Sequence, residues 1–117
     1  MLDPHPPLQT SIARPRTGFA VLAVVGEIDT LTAPPLEQAL RELLAGPEPE
    51  TLVIDLTGVT FMASSGLAVL IRGAHQAAAR DLRLRLVPGS RAVRRPLEVT
   101  GSDQLFDMYE DVPTATD

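Results

Sequence analysis

Residues 51–67 read TLVIDLTGVTFMASSGL, and this stretch decides the fold class. Thr51–Leu56 (TLVIDL) is a mostly apolar run of the kind found in buried strands of a sheet. From Gly66 onward, apolar residues recur at the period of an amphipathic helix. The stretch therefore predicts a buried strand, a short link at Thr57–Ser65, and then a helix whose start carries a pair of serines.

The segments before this stretch predict two more strands and a helix. Phe19–Val25 is a valine-rich apolar run ended by Gly26, which favours a strand in the centre of the sheet. Leu8–Arg14 is consistent with a first edge strand. In Thr30–Gly46 the leucines recur at helical spacing, and Thr32 is a candidate N-cap for that helix.

The segments after it predict a strand, a helix and a last short strand. In Leu82–Leu86 leucines alternate with arginines, which predicts a strand at the sheet edge with one face in water. Arg91–Thr100 is predicted to be a helix that Pro96 shortens or kinks. Asp107–Tyr109 is a candidate final strand, and residues 113–117 are too few for a full helix.

This order of elements predicts a single α/β domain. Its sheet should be mixed and four- to five-stranded, with the helices packed mainly on one face. The chain has 117 residues, which suits one core and one domain. We expect a flexible N-terminal segment at residues 1–10, the domain at residues 11–112 and a C-terminal tail at residues 113–117.

Composition excludes several classes of function. No apolar run reaches the roughly 18 residues of a membrane span, and Met1–Thr10 lacks the features of a signal peptide, so we expect a cytoplasmic protein with no membrane partner. The chain has no cysteine, which excludes disulfides and thiolate metal sites. The net charge of -5, with no tryptophan and one tyrosine, argues against direct binding of nucleic acid.

The residues that an enzyme would need are not arranged for catalysis. His75 lies eleven residues beyond Ser64 on the predicted helix, about 16 Å away at 1.5 Å per residue, which is too far for proton transfer. His5 lies in the N-terminal segment, and the chain has no lysine for a phosphate-binding loop. We therefore predict no enzyme activity, no catalytic residue, no cofactor and no metal. A metal site would have to consist of carboxylates alone, and the candidates do not have the spacing of a known metal-binding loop. These candidates are Glu48, Glu50, Glu110 and Asp111.

The serine pair at the predicted helix start has two interpretations. One serine can cap the helix, since its side-chain oxygen accepts a backbone N–H that is otherwise unpaired. Alternatively, the exposed N–H groups and the positive end of the helix dipole favour an added phosphate. Phosphorylation adds about -1.5 to -2 charge, enough to disrupt a docking surface. Position alone leaves both interpretations open.

Three motifs resemble those of the STAS domain family of anti-sigma factor antagonists. Asp55 followed by Phe61–Leu67 (FMASSGL) resembles the family's strand-ending Asp and its Phe-Met-Asp-Ser-Ser-Gly-Leu. Gly26–Asp29 (GEID) is similar to its Gly-Glu-Leu-Asp. Ala92–Leu97 (AVRRPL), before Thr100–Gly101, resembles its third-helix pattern. The resemblance spans about residues 11 to 112.

The resemblance implies a STAS-type fold and a partner switch without chemistry in the antagonist itself. Ser64 matches the serine that the cognate anti-sigma factor, a serine kinase, phosphorylates. The unmodified antagonist binds this kinase and frees the sigma factor, whereas the phosphorylated form is released until a serine phosphatase resets it. The implied docking surface, formed by the residues expected near that serine, consists of Asp29, Thr30, Asp55, Ala63, Ser64, Ser65 and Gly66.

The chain departs from the family pattern at two places, and one alternative function remains open. Ala63 stands where the family has Asp directly before the phosphorylated serine. The C-terminus is shorter than the final helix of the family requires. The alternative is a STAS docking subunit of another assembly, in stress signalling or lipid transport, that uses the same surface without phosphorylation. A small-molecule site is not needed, because the apolar stripes are accounted for as core.

Overall fold

The computed structural model of the chain describes residues 7–117, which alternate between strands and helices along most of their length. The strands are β1 (Gln9–Ala13), β2 (Phe19–Ile28), β3 (Thr51–Met62), β4 (Arg83–Val87) and β5 (Asp107–Met108). The α-helices are α1 (Ala33–Ala45), α2 (Ser64–Ala79), α3 (Arg91–Thr100) and α4 (Val112–Ala115), with a 3-10 turn at Ser102–Leu105.

The five strands form one mixed sheet in the order β1-β2-β3-β4-β5. β1 runs antiparallel to β2, and every other neighbouring pair is parallel. Each of α1, α2 and α3 connects two neighbouring parallel strands in the same direction across the sheet. Crossovers of one hand then place all three helices on one face. The predicted α/β class, the mixed sheet and the one-sided packing of the helices are confirmed.

The main core lies between this helical face and the sheet. Because side chains alternate along a strand, every second residue of β2, β3 and β4 points toward the helices. These strand residues meet leucines from α1, α2 and α3, which recur at helical spacing. The fully buried members include Leu22, Leu36, Leu44, Leu52, Ile54, Leu56, Leu70, Leu86 and Leu97.

The opposite face of the sheet is covered in part by α4. Val21, Val53 and Val87 form a second apolar cluster with Ala115, which is fully buried. Residues 113–117, expected to form a tail, thus contribute to a short helix that packs on the sheet. Arg85 donates from Nη1 to the Ala115 carbonyl at 2.8 Å. The prediction that β4 is an edge strand with a wet face is wrong, because β5 pairs with it and Arg85 is half-buried.

β2 and β3 are longer than their apolar runs predicted. β2 continues past Gly26 to Ile28, and the expected link at Thr57–Ser65 is wrong because β3 continues to Met62. Parallel pairing continues to the Ile28–Met62 register through two register shifts, at each of which β3 carries one residue more than β2. Gly26 has a φ of 124°, a conformation that favours glycine, so the chain passes the irregularity without ending the strand.

The helices match their predicted positions more closely than the strands do. α1 spans Ala33–Ala45, with Thr32 at the predicted N-cap position and Gly46 directly after the helix. α3 spans the predicted Arg91–Thr100 with Pro96 inside it, so the proline does not shorten the helix. Among residues 7–117, no helix has the length and apolar character that crossing a bilayer would demand.

The start of α4 depends on one carboxylate, and this predicts a pH-dependent contribution to stability. Asp111 accepts hydrogen bonds from Thr114 N at 2.9 Å and Thr114 Oγ1 at 2.7 Å, and these bonds lower the pKa of Asp111. A lowered pKa stabilises the fold above the unfolded pKa, and this contribution is lost as pH falls through the folded pKa. We expect Asp111→Ala to lower the melting temperature at pH 7, and the deficit to shrink toward about pH 2.

The matched control for this prediction is Glu110→Ala, which removes the neighbouring exposed carboxylate. Thermal unfolding across the pH range should show little difference between this control and the wild type. A deficit of Asp111→Ala that stays constant from pH 7 to about pH 2 would contradict the proposed capping role.

Candidate functional site

The end of β2 and the start of α2 are held together by hydrogen bonds and close packing. Ala63 N donates to the Ile28 carbonyl at 2.8 Å, and the Ala63 carbonyl accepts from Gly66 N at 3.0 Å. Gly66 is buried against Ile28, where an added Cβ would lie 2.5 Å from Ile28 Cγ2 and 2.9 Å from Met62 Cγ. Real Cβ atoms do not approach so closely, so the contact requires glycine.

The two serines occupy the first turn of α2 without capping it. The helix begins at Ser64, and Ala63 occupies the N-cap position, where it has no side-chain oxygen to offer. The N-cap interpretation of the serines is therefore wrong. Ser64 is exposed at the positive end of a 16-residue helix, whereas Ser65 is half-buried. Ser65 Oγ is inaccessible and makes no hydrogen bond.

A tight turn between β2 and α1 lies beside this helix start. Asp29 Oδ1 accepts from Leu31 N at 2.9 Å and from Thr32 N at 3.0 Å. Thr32 Oγ1 accepts from Asp29 N at 2.8 Å and donates to the Glu27 carbonyl at 2.8 Å. Thr32 occupies the predicted N-cap position, but its side chain makes no capping bond to α1. It fixes the turn instead.

The register of the sheet brings this turn and the start of α2 together. Ile28 pairs with Met62, so Asp29 and Thr30 follow β2 at the level where α2 begins. Ser64 and Thr30 are exposed there, while Ala63 is half-buried and Gly66 is buried. In residues 7–117, no cluster of three or more His, Asp or Glu side chains is placed to hold a metal ion. The arrangement places two exposed hydroxyl-bearing residues, Ser64 and Thr30, beside a hydrogen-bonded turn.

Comparison with known proteins identifies the domain that carries this surface. The model of the STAS domain family matches residues 11–115. The chain belongs to the STAS domain family.

Related sequences place this STAS domain among the anti-sigma factor antagonists. It is 37% identical over 92 residues to the anti-sigma-F factor antagonist RsfB of Mycobacterium tuberculosis, covering 79% of this chain and 74% of that protein. It is 36% identical over 85 residues to the anti-sigma-B factor antagonist of Listeria monocytogenes, covering 73% of this chain and 74% of that protein. The crystal structure of an anti-sigma factor antagonist from Mycobacterium paratuberculosis superposes with a TM-score of 0.84 at 36% sequence identity. The superposition covers 93% of this chain and 91% of that structure.

The STAS domain does not bring Asp55 to the start of α2, as the resemblance implied. Asp55 pairs with Ala23 and Val87, seven residues before the end of β3. Seven residues of extended strand span up to about 23 Å. Asp55 accepts from Thr57 N at 3.0 Å and from Thr57 Oγ1 at 2.7 Å, so it orders its own stretch of β3. The expectation of proximity fails because β3 does not end at Leu56.

Two exposed apolar side chains lie close in sequence to the turn and to the STAS helix start, and they escaped the sequence analysis. Leu31, two residues after Asp29, is 66% exposed, and Phe61, two residues before Ala63, is 48% exposed. A large apolar side chain in water is informative when it lies beside a candidate docking site. In the sequence, Leu31 and Phe61 are apolar residues in segments without apolar periodicity. Such a position gives no indication of whether the side chain is exposed or buried.

The contact between Gly66 and Ile28 predicts an unusual penalty for Gly66→Ala. In an ordinary helix interior, alanine is more favourable than glycine by about 1 kcal/mol. Here the added methyl group meets Ile28 and Met62, so we expect the free energy of unfolding to fall by about 1–3 kcal/mol. Urea unfolding of Ser64→Ala, which changes an exposed residue of the same turn, gives the matched control. Unchanged or increased stability of Gly66→Ala would contradict the close packing.

Proposed function

We propose that this STAS protein binds an anti-sigma factor serine kinase through the start of α2 and is released when that kinase phosphorylates Ser64. Binding of the unmodified form would free the sigma factor in the cytoplasm. The observation that carries the proposal is the exposure of Ser64 at the positive end of a long helix, beside the turn that carries the exposed Leu31 and three residues after the exposed Phe61.

The local electrostatics support a phosphate on Ser64 that leaves the fold intact. The first N–H groups of a helix lack intrahelical partners, and together with the helix dipole they favour an anion. Ala63 provides no capping side chain, so no carboxylate at that position competes with the phosphate or repels it. The modified serine would therefore remain at the helix start instead of unfolding it.

The same phosphate opposes docking. Leu31 and Phe61 offer apolar area that a partner has to desolvate when it binds. A dianion on Ser64 would bring about -1.5 to -2 charge into that contact, where it is costly unless the partner pairs with it. The phosphate would thus leave the fold intact and weaken the docking contact. A switch requires this combination, because binding has to change while the protein stays folded.

The remaining partners follow from this scheme. A serine phosphatase would remove the phosphate and restore binding, and the antagonist would carry out no reaction of its own. Asp29, Thr30, Ser65 and Gly66 would contribute to the docking surface by holding the turn and the helix start in place. Asp55 would contribute only if the partner also contacts the middle of β3.

Phosphorylation is tested by incubating the protein with ATP and each anti-sigma factor kinase of its source organism, produced recombinantly. We expect the intact mass to rise by one phosphate, and peptide mapping to place that phosphate on Ser64. Ser64→Ala should bind the kinase and stay bound in the presence of ATP. Ser64→Glu should fold normally and bind poorly, because the added carboxylate lies at the interface.

Two outcomes would contradict the switch. Tight binding without any phosphate would favour an unswitched STAS docking subunit, and Ala63→Asp would then test whether the missing carboxylate explains the lack of reaction. Equal binding of Ser64→Ala and Ser64→Glu in the presence of ATP would show that charge at this helix start does not control release.

The docking surface is tested separately from its modification. We expect Leu31→Ala and Phe61→Ala each to weaken binding of the kinase about fivefold or more, since truncating an interface anchor costs upwards of about 1 kcal/mol. Val99→Ala is the matched control, because Val99 is 72% exposed at the far end of α3. Titration calorimetry gives the dissociation constants. If all three variants bind like the wild type, the apolar surface beside Ser64 is not the interface.

A further inference from the structure

The first strand of the sheet has one side that is unpaired within the described residues. β1 pairs with β2 along Gln9–Ala13, and in residues 7–117 no strand lies on its other side. All five residues of β1 are exposed. In such a strand, every second residue directs its N–H and C=O groups away from the sheet, where another strand can pair with them.

β1 lacks the features that usually protect an edge strand. Natural edge strands are made very short, or carry charged residues or proline. The other edge of this sheet follows that rule, since β5 has two residues and one of them is Asp107. β1 reads QTSIA, without charge or proline, and Ile12 is 51% exposed. This edge is therefore open to pairing.

The sequence of β1 is compatible with pairing to itself. If two copies run antiparallel with a two-fold axis at Ser11, Ser11 meets Ser11 and Thr10 meets Ile12. Gln9 then meets Ala13, so no like charges oppose each other and a β-branched pair forms on each side of the axis. Arg14 falls at the ends of the paired region, opposite Leu8 of the other copy, which keeps the two guanidinium groups apart.

We propose that β1 pairs antiparallel with β1 of a second copy of this chain around a two-fold axis at Ser11. The two sheets become one continuous sheet, and the interface is isologous, as in most homodimers. Five paired residues span about 17 Å, so the contact is smaller than a stable interface and the dimer dissociates readily. Ser64 follows β3, which lies on the other side of β2 from β1, so pairing at the β1 edge would not cover Ser64.

Sedimentation velocity of the full chain tests the dimer without any other partner. We expect the weight-average sedimentation coefficient to rise between about 10 μM and about 1 mM, the range of weak association. Ser11→Lys and Ser11→Glu should each remain monomeric, because like charges meet at the axis. An equimolar mixture of these two variants should associate again, since the opposing charges are then complementary.

A cysteine introduced at the axis tests the register, because the natural chain has no cysteine. Ser11→Cys should form a disulfide-linked dimer under mild oxidation. Gln38→Cys, at an exposed position of α1, should do so only at the rate of random collision. A wild-type chain that stays monomeric at about 1 mM would overturn the proposal. So would a dimer that the Ser11 variants leave intact, since it would form through another surface.

Discussion

The approach of α2 to the end of β2 is the constraint on which the rest of the site depends. Gly66 lies against Ile28 so closely that a single methyl group would clash, and the hydrogen bond from Ala63 N to the Ile28 carbonyl fixes the same junction. This contact sets where α2 begins and therefore where Ser64 stands. It also places Ser64 beside the Asp29 turn, which its own hydrogen bonds keep in one conformation.

A surface fixed in this way suits a protein that signals by binding. The turn and the helix start are both built before a partner arrives, so little conformational entropy is lost on docking. The apolar side chains of Leu31 and Phe61 remain exposed, although folding buries most other large apolar residues of the chain. In the proposed switch the helix start would tolerate an anion and the apolar contact would not, so one modification would change binding without changing the fold.

The sequence was informative where structure depends on local pattern. The valine-rich run from Phe19, the buried run from Thr51 and the amphipathic α2 all appear as predicted, because burial imposes a pattern of apolar residues on each element. The full lengths of β2 and β3 were not predictable, because Gly26 and Gly58 resemble turn residues and only pairing between the strands keeps them in the sheet. The packing of α4 on the face of the sheet opposite the other helices was not predictable either, because it depends on contacts between residues distant in sequence.

The most direct test of the proposed docking surface is hydrogen–deuterium exchange of the full chain, alone and with the anti-sigma factor kinase proposed as its partner, in the absence of ATP. The account predicts slower exchange in the backbone amides of two segments, residues 29–33 after β2 and residues 61–68 at the start of α2. Protection confined to α3, to α4 or to the β1 edge, with these two segments unchanged, would contradict it.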